Sequence, residues 1–510
     1  MSSRSLLSEE DYEELLEEIH GRARSNCLPS VKELLGHEDE TLHDTLVEPD
    51  AEVGEHKARL HRRLSFADGT SFVVGVIVGS GIFATPGQVL LNAGSVGLTL
   101  LAWLAAGVVA LFSSFIYAEL GSAIPHAGGD SEYLRLAFGY PWSFAFVYSM
   151  FFVIKTGGLG IVAITFARYL APQIFSLSIT DPDLDSDVRV KALAVLCITS
   201  LTVFNCFGVH AGAWLQNLFS VSKAALITLL ISAAVMGVFQ DPSIAVDNSR
   251  GLFEGSSLTG LGPAMIGALW AFDGWNDIVF LSEELKNPAR DVSRCAIYGI
   301  FGVVAIYILV NISYLCIIPA AAFKVSQVIA LDAASRAFGP WAGTCAALLT
   351  AASVLGSCNG SILVGGRYLY ATSREGQFFS FLGRVSRKTG APYPALLTQG
   401  GLACLVLLAP AANLASLIQY FGVAVWLFYG LTAAALIKLR HDFPDLPRPY
   451  SVRPYPLVPL TIIAVAGYLI VTSFVEQPFP SLLSLAFVLS SVPVYYLFFR
   501  VQEPVVTRLS

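Results

Sequence analysis

Gly79-Ser80-Gly81-Ile82-Phe83 lies in the middle of an apolar run that covers residues 72–91. Two glycines and a serine weaken a helix there, at a depth where a bilayer has no water to offer. In hydrocarbon an unpaired backbone N–H or C=O is very costly, so an interrupted helix survives only where its freed groups face a cavity or a ligand. Glycine lets a ligand approach the backbone closely. A half-helix beginning near Ile82 would offer unpaired N–H groups and a positive dipole end to an anion. The stretch reads as a binding site inside a membrane, and a carboxylate is its natural guest.

A second interruption supports this. Ala271-Phe272-Asp273-Gly274-Trp275-Asn276-Asp277 breaks the sixth apolar run much as Gly79 to Gly81 break the first, an interval of five spans. Broken helices at equivalent places in two halves point to a transporter built from inverted repeats, with its site near the midplane.

Composition excludes an ordinary soluble domain. Of 510 residues, 55% are hydrophobic and only 14% charged, and the mean hydropathy is +0.64. With roughly 20 apolar residues needed per span, about twelve runs qualify: 68–91, 97–124, 142–170, 190–207, 213–239, 263–281, 295–319, 341–370, 394–408, 414–437, 456–474 and 481–499. The expected fold is an all-α polytopic membrane protein with a transporter domain over residues 67–500, an acidic tail over 1–66 and a short tail over 501–510. The eight cysteines are Cys27 and seven in or beside spans. Their spacing suggests neither a disulfide framework nor a metal site, so they read as small packing residues, and no cofactor is expected. No nucleophile-base pair or metal-ligand set stands outside the spans, which argues against an enzyme.

Residues 1–66 carry 16 acids and 8 bases, so the net charge of −7 resides in the tail and the membrane part is close to neutral. Nothing in the tail is long and apolar enough for a signal peptide, and the first span is expected to direct insertion. Tyr12, Leu15, Leu16 and Ile19 fall at helical spacing among acids, which allows an amphipathic surface helix over 9–24. Its role stays open between docking and a simple solvated leader. Lys57, Arg59, Arg62 and Arg63 directly precede the first span and place the N terminus in the cytosol by the positive-inside rule. The same rule is met by Lys286, Arg290 and Arg294, by Arg374, Arg384, Arg387 and Lys388, and by Lys438, Arg440, Arg448 and Arg453. An even number of spans returns the C terminus to the cytosol.

The order of several strings carries a resemblance. Gly79-Ser80-Gly81-Ile82-Phe83, Tyr117-Ala118-Glu119-Leu120-Gly121, Gly128-Gly129-Asp130, Trp270-Ala271-Phe272-Asp273-Gly274-Trp275-Asn276, Glu283-Glu284 with Asn287-Pro288, Arg374-Glu375-Gly376 and Trp426-Leu427-Phe428-Tyr429-Gly430-Leu431-Thr432 stand as in the amino acid–polyamine–organocation superfamily. The chain looks most similar to the L-type and cystine/cationic amino-acid exchangers that form light chains of heteromeric transporters. The resemblance covers roughly residues 66–460. It implies a LeuT-like fold of five plus five spans, with spans one and six broken.

It also implies roles. The substrate carboxylate would lie on Gly79, Ser80 and Gly81. The α-amine would meet backbone carbonyls of Ile77 and of Trp270 or Asp273. Trp270 stands where the family has an aromatic gate over the bound amino acid. Side-chain choice would rest on the lining around Trp270, Phe272, Asp273, Asn276, Asp277 and Val425. The bland alternatives are that the glycines only allow tight helix packing and that Trp270 is core filler. Asp273 and Asp277 could share one helix face at i and i+4 and hold a cationic side chain, since an acid at this depth needs a partner. Pairing with a protein base such as Lys155, or protonation, is the competing explanation.

Lys223 lies inside the fifth span, too far from either end to snorkel easily. In the family a lysine here stands where sodium-coupled relatives bind an ion. Its ammonium would join the first and eighth spans near Ser353 or Ser357, which implies sodium independence. An ordinary buried lysine paired with an acid is the alternative. Glu119, Asp130 and Glu132 near the second span are expected to pair with Arg135 or with bases such as Arg374 and to brace an inward gate. One departure concerns partners: family light chains carry a cysteine between spans three and four that bonds a single-span glycoprotein, and residues 171–191 contain none. A covalent heavy-chain partner is therefore not expected, and nucleic acid is no partner.

The reading is a sodium-independent amino-acid exchanger of the plasma membrane, or of an endomembrane, that carries cationic and neutral amino acids. Large neutral amino-acid exchange and proton-coupled amino-acid or polyamine symport remain open. So does, from another class, a non-transporting amino-acid sensor.

Overall fold

The computed structural model describes residues 65–124, 129–179, 181, 183–207, 209–279, 285–374, 376–386, 389–410 and 412–499, with side chains at 209–218, 220, 288 and 289 left aside. The amphipathic segment 9–24, both tails, Gly128 and the Glu283-Glu284 pair lie outside the described residues. Ten of the described helices are long and apolar enough to cross a membrane. The broken helix Leu261–Phe272 and the shorter Tyr393–Leu408 fall in two further runs of the sequence.

Local chemistry starts and stops these helices. Helix α1 (Phe66–Ile77) opens on a capping box in which Ser65 and Asp68 satisfy each other's backbone N–H groups. It ends at Val78, and the chain resumes as α2 (Gly81–Ala84) and α3 (Pro86–Ala93), joined through the helical Thr85. Gly94 closes α3 in the left-handed conformation at φ 80°. The long α4 (Val96–Ala123) follows, capped by Ser95. Next come α5 (Asp130–Phe138), α6 (Tyr140–Ser149), a π-turn over Met150–Lys155 and α7 (Thr156–Phe175). Helices α8 (Val188–Cys206) and α9 (Val209–Gln240) complete the first half.

The second half repeats the first. Helix α10 (Leu261–Phe272) is broken, α11 (Pro288–Ile317) is long, and α12 (Ile329–Phe338) is short. The last is followed by α13 (Pro340–Arg374) and α14 (Tyr393–Leu408). Short helices α5 and α12 both end in Phe-Gly, and the two glycines have nearly the same backbone, φ 94° and ψ 177° at Gly139 against φ 91° and ψ 174° at Gly339. In each case a proline-led helix follows, from Tyr140-Pro141 and from Pro340. The two halves thus share a short helix, a Phe-Gly turn and a proline-led long helix. Helices α15 (Leu414–Asp442), α16 (Leu457–Glu476) and α17 (Pro478–Val494) come after the repeat.

Two groups of helices result. Helix α11 packs along α1 and α4, and α10 lies on α3 and α4. Helix α7 packs on α8 and α13, with α14 against α8 and α13. Helix α15 touches both groups, meeting α7, α5 and α10. The broken helices belong to the first group, so both interruptions fall at its boundary with the second.

Candidate functional site

The two breaks meet. A β-carbon built on Gly81 would stand 2.3 Å from Ala271 Cα, and one on Gly79 would stand 2.8 Å from Ser357 Oγ of α13. Tight packing is thus one real duty of these glycines, and it is what brings the two interrupted backbones together. Ser80 is buried between them, and its carbonyl accepts from Phe83 and Ala84 N–H at 3.1 and 3.0 Å. No side-chain cap closes the start of α2.

The carbonyl ends of the two half-helices already have side-chain partners. Lys223 Nζ donates to Gly75 O at 2.6 Å and to Ser357 Oγ at 3.5 Å, so the ammonium does stand between α1 and α13. Ser353 Oγ, also buried, has no partner in the described residues. The Tyr307 hydroxyl of α11 lies 2.8 Å from Ile77 O and 2.7 Å from Ala271 O. Trp270 O accepts from Asp273 N–H at 3.3 Å.

Beyond the second break, between α10 and α15, lies a small, partly open pocket. Trp270, Asp273 and Trp275 line one side, and Phe421, Val425, Trp426 and Tyr429 the other. The Trp270 ring stands edge-on to Phe421 at 4.7 Å and close to Gly158 of α7. Trp275, Trp426 and Tyr429 pack on one another at 4.9 to 6.3 Å between ring centres. Asp273 accepts from Tyr429 OH at 2.7 Å; among the described residues no ion pair joins it to Lys155. The cavity is aromatic with one acid, a setting that suits an apolar side chain or a cation held over ring faces.

Not every expected lining residue arrives there. Gly274 adopts φ 115°, and residues 273–276 are not helical, with a single 3₁₀ turn over 277–279. Asp273 and Asp277 therefore do not share a helix face. Phe272 points into the core against Trp103 and Tyr307, and Asn276 reaches Asp130. Neither these two nor Asp277 lines the cavity.

The expected gate pairings form only in part: Glu132 pairs with Arg135 as expected, whereas Glu119 and Asp130 find other partners. Glu119, at the end of α4, is clamped by Arg440 Nε at 2.7 Å, by Val452 N–H at 2.7 Å and by Arg448 at 3.5 Å. Arg374 instead lies on the Tyr370 ring. Asp130 accepts from Tyr117 OH and from Thr432 Oγ1, the latter at 2.8 Å. Arg135 pairs with Glu132 on its own helix. The reason is the path of α15, which passes both α4 and α5 and brings Thr432 and Arg440 to acids some 300 residues earlier in the chain, at separations of 302 and 321. Tyr307, Phe421, Tyr429 and Arg440 are among the members of this site to which the sequence analysis assigned no role there. Tyr429 at least lies in one of the strings that carry the resemblance.

A helical membrane protein whose two broken helices cross beside a pocket is built as a carrier for small solutes. The comparisons give it a family. The amino acid permease family matches residues 64–499. The b(0,+)-type amino acid transporter 1 of Mus musculus is 32% identical over 461 residues, 88% of this chain and 92% of that protein. The human cystine/glutamate transporter is 30% identical over 466 residues, 89% of this chain and 90% of that protein. The large neutral amino acids transporter small subunit 2 of Oryctolagus cuniculus is 31% identical over 460 residues, 88% and 82%. The chain belongs to the amino acid permease family. It is an integral, multi-pass membrane permease and not an enzyme.

Proposed function

We propose that this permease exchanges amino acids across the membrane by alternating access, without sodium, and that it accepts cationic as well as neutral side chains. The observation that carries the reading is the meeting of the two breaks at Gly81 and Ala271, next to a cavity whose acid is Asp273. The carboxylate of the substrate would lie on the N–H groups at Ser80 and Gly81, where a half-helix begins. Its α-ammonium would approach the carbonyls near Ile77 and Trp270. The side chain would extend past Trp270 toward Asp273, Val425 and Tyr429. The b(0,+)-type, cystine/glutamate and large neutral amino acid relatives support transport of such zwitterions.

Sodium independence is supported by Lys223, whose ammonium bonds Gly75 O and thereby supplies a fixed cation at the first break. Glu119, Asp130 and their partners would hold one end of the pathway shut. Residues 171–191 contain no cysteine, which supports action without a disulfide-linked heavy chain. The basic residues before the first span support cytosolic termini, and the plasma membrane is the expected location.

A second reading, restriction to large neutral amino acids, is favoured by one observation: Asp273 is already engaged by Tyr429 OH at 2.7 Å in an otherwise aromatic pocket. Uptake of labelled arginine and labelled leucine into liposomes holding the purified chain, without sodium and with or without internal unlabelled amino acid, separates the two. Arginine uptake stimulated from inside supports the cationic exchanger. Leucine uptake alone supports the second reading, and uptake of neither overturns both.

A further inference from the structure

The hydroxyl of Tyr307 is placed where one proton must serve two acceptors. Tyr307 is fully buried, held edge-on by Trp103 at 5.8 Å and against Phe272 at 4.8 Å. Its oxygen stands 2.8 Å from Ile77 O, at the end of α1, and 2.7 Å from Ala271 O, near the end of α10. Both carbonyls belong to last turns that have lost their helical donors. A phenol carries a single O–H, so at any moment one carbonyl has the better bond and the other retains acceptor capacity. An unsatisfied carbonyl in a dry interior is costly, and a ligand with several N–H donors would satisfy it.

We infer that Tyr307 is a positioning residue for the substrate's α-ammonium: it holds the two broken ends at a common distance and yields one of their carbonyls when the ammonium arrives. This rests on the reading that the breaks receive an amino acid. It goes further in assigning α11, a helix with no break of its own, the task of keeping the two half-sites in register. The ammonium and the phenol together satisfy both carbonyls, so occupancy also joins α1 to α10.

The test is Tyr307→Phe in the full chain, which keeps the ring and removes the O–H. In liposomes the KM for arginine and for leucine is expected to rise by the same factor, about tenfold, because the two carbonyls are no longer held at the distance the ammonium needs, with the maximal rate within about twofold. The factor is shared because the α-amino group is common to both substrates. Competition by 4-methylpentanoate, which has leucine's skeleton and carboxylate but no α-amine, is expected to be unchanged. A merely structural role would lower the maximal rate and leave KM alone. The leucine concentration that protects the detergent-solubilised chain against heat gives the same answer without transport, and it is expected to rise about tenfold in the variant. Unchanged KM, a KM change confined to one substrate, or an equal loss for 4-methylpentanoate overturns the inference. Failure of the wild-type chain to bind or carry either amino acid overturns the reading beneath it instead.

Discussion

Gly81 and Ala271 touch backbone to backbone, with 2.3 Å between Ala271 Cα and the position a β-carbon on Gly81 would take. No flexible side-chain tip can move aside there, so any larger residue must push the two broken helices apart. Overpacking of this kind costs roughly 1–3 kcal/mol in a packed interior, and here the displacement falls on the site itself. Gly81→Ala is expected to lower amino-acid uptake at least tenfold per folded molecule. Gly467→Ala, at a position with nothing within 4 Å, is the control and is expected to transport normally. Wild-type uptake by Gly81→Ala would mean that the close crossing is dispensable.

Asp273 lines the cavity and accepts from Tyr429 OH at 2.7 Å. If the carboxylate reads a cationic side chain, Asp273→Asn keeps the size and the hydrogen-bond acceptor but removes the charge. Arginine uptake is then expected to fall about tenfold or more, the scale of a charge-assisted hydrogen bond, while leucine uptake falls less than threefold. Equal losses for the two substrates would assign Asp273 to holding Tyr429 rather than to selecting charge.

The breaks were legible because each violates a local rule: Gly-Ser-Gly at the centre of one apolar run, and an acid beside a glycine in another. Their consequences in space were not. Phe272, still on α10, faces Trp103 and Tyr307 in the core, and beyond it Gly274 at φ 115° turns the chain, so that Asn276 leaves for Asp130. Tyr307 gives no signal at all, being one aromatic among many in a long apolar helix. Its importance comes from two carbonyls, one of them 230 residues away. The same holds for Glu119, where the nearby Arg135 was the natural local guess and the partner is 321 residues distant. Sequence displays broken local patterns well, but pairings between remote helices depend on how those helices pass one another.

That remote pairing can be tested by stability. The Glu119 side chain is 1% exposed and the Arg440 side chain 17%. Arg440 makes the paired contact, whereas Arg448 stands at 3.5 Å. Breaking a buried pair by removing one partner costs roughly 3–5 kcal/mol, because the other charge is left uncompensated. Arg440→Ala is expected to lower the melting midpoint in detergent well below that of Lys438→Ala, whose side chain is 44% exposed. The double variant Glu119→Gln with Arg440→Ala should regain part of the loss. If Arg440→Ala melts no lower than Lys438→Ala, the clamp on α4 is not carried by Arg440.

Tyr169 of α7 makes a three-way junction near the outgoing end of the first break. Its hydroxyl donates to Phe83 O at 2.8 Å and accepts from Ala330 N–H at 3.4 Å, so it ties α2 and α12 to the helix group that carries neither break. Phenylalanine fits the same space and removes both bonds. Each buried hydrogen bond contributes roughly 0.5–1.5 kcal/mol, and the loss falls on segments that must separate if this end of the pathway is to open. In Tyr169→Phe, backbone hydrogen exchange is expected to speed up about tenfold in α2, α3 and α12, while α8 keeps its protection. Exchange reports local opening free energy, so the comparison reads the junction directly. Unchanged exchange in α2 and α12 would show that packing alone, without the hydroxyl, keeps this end closed.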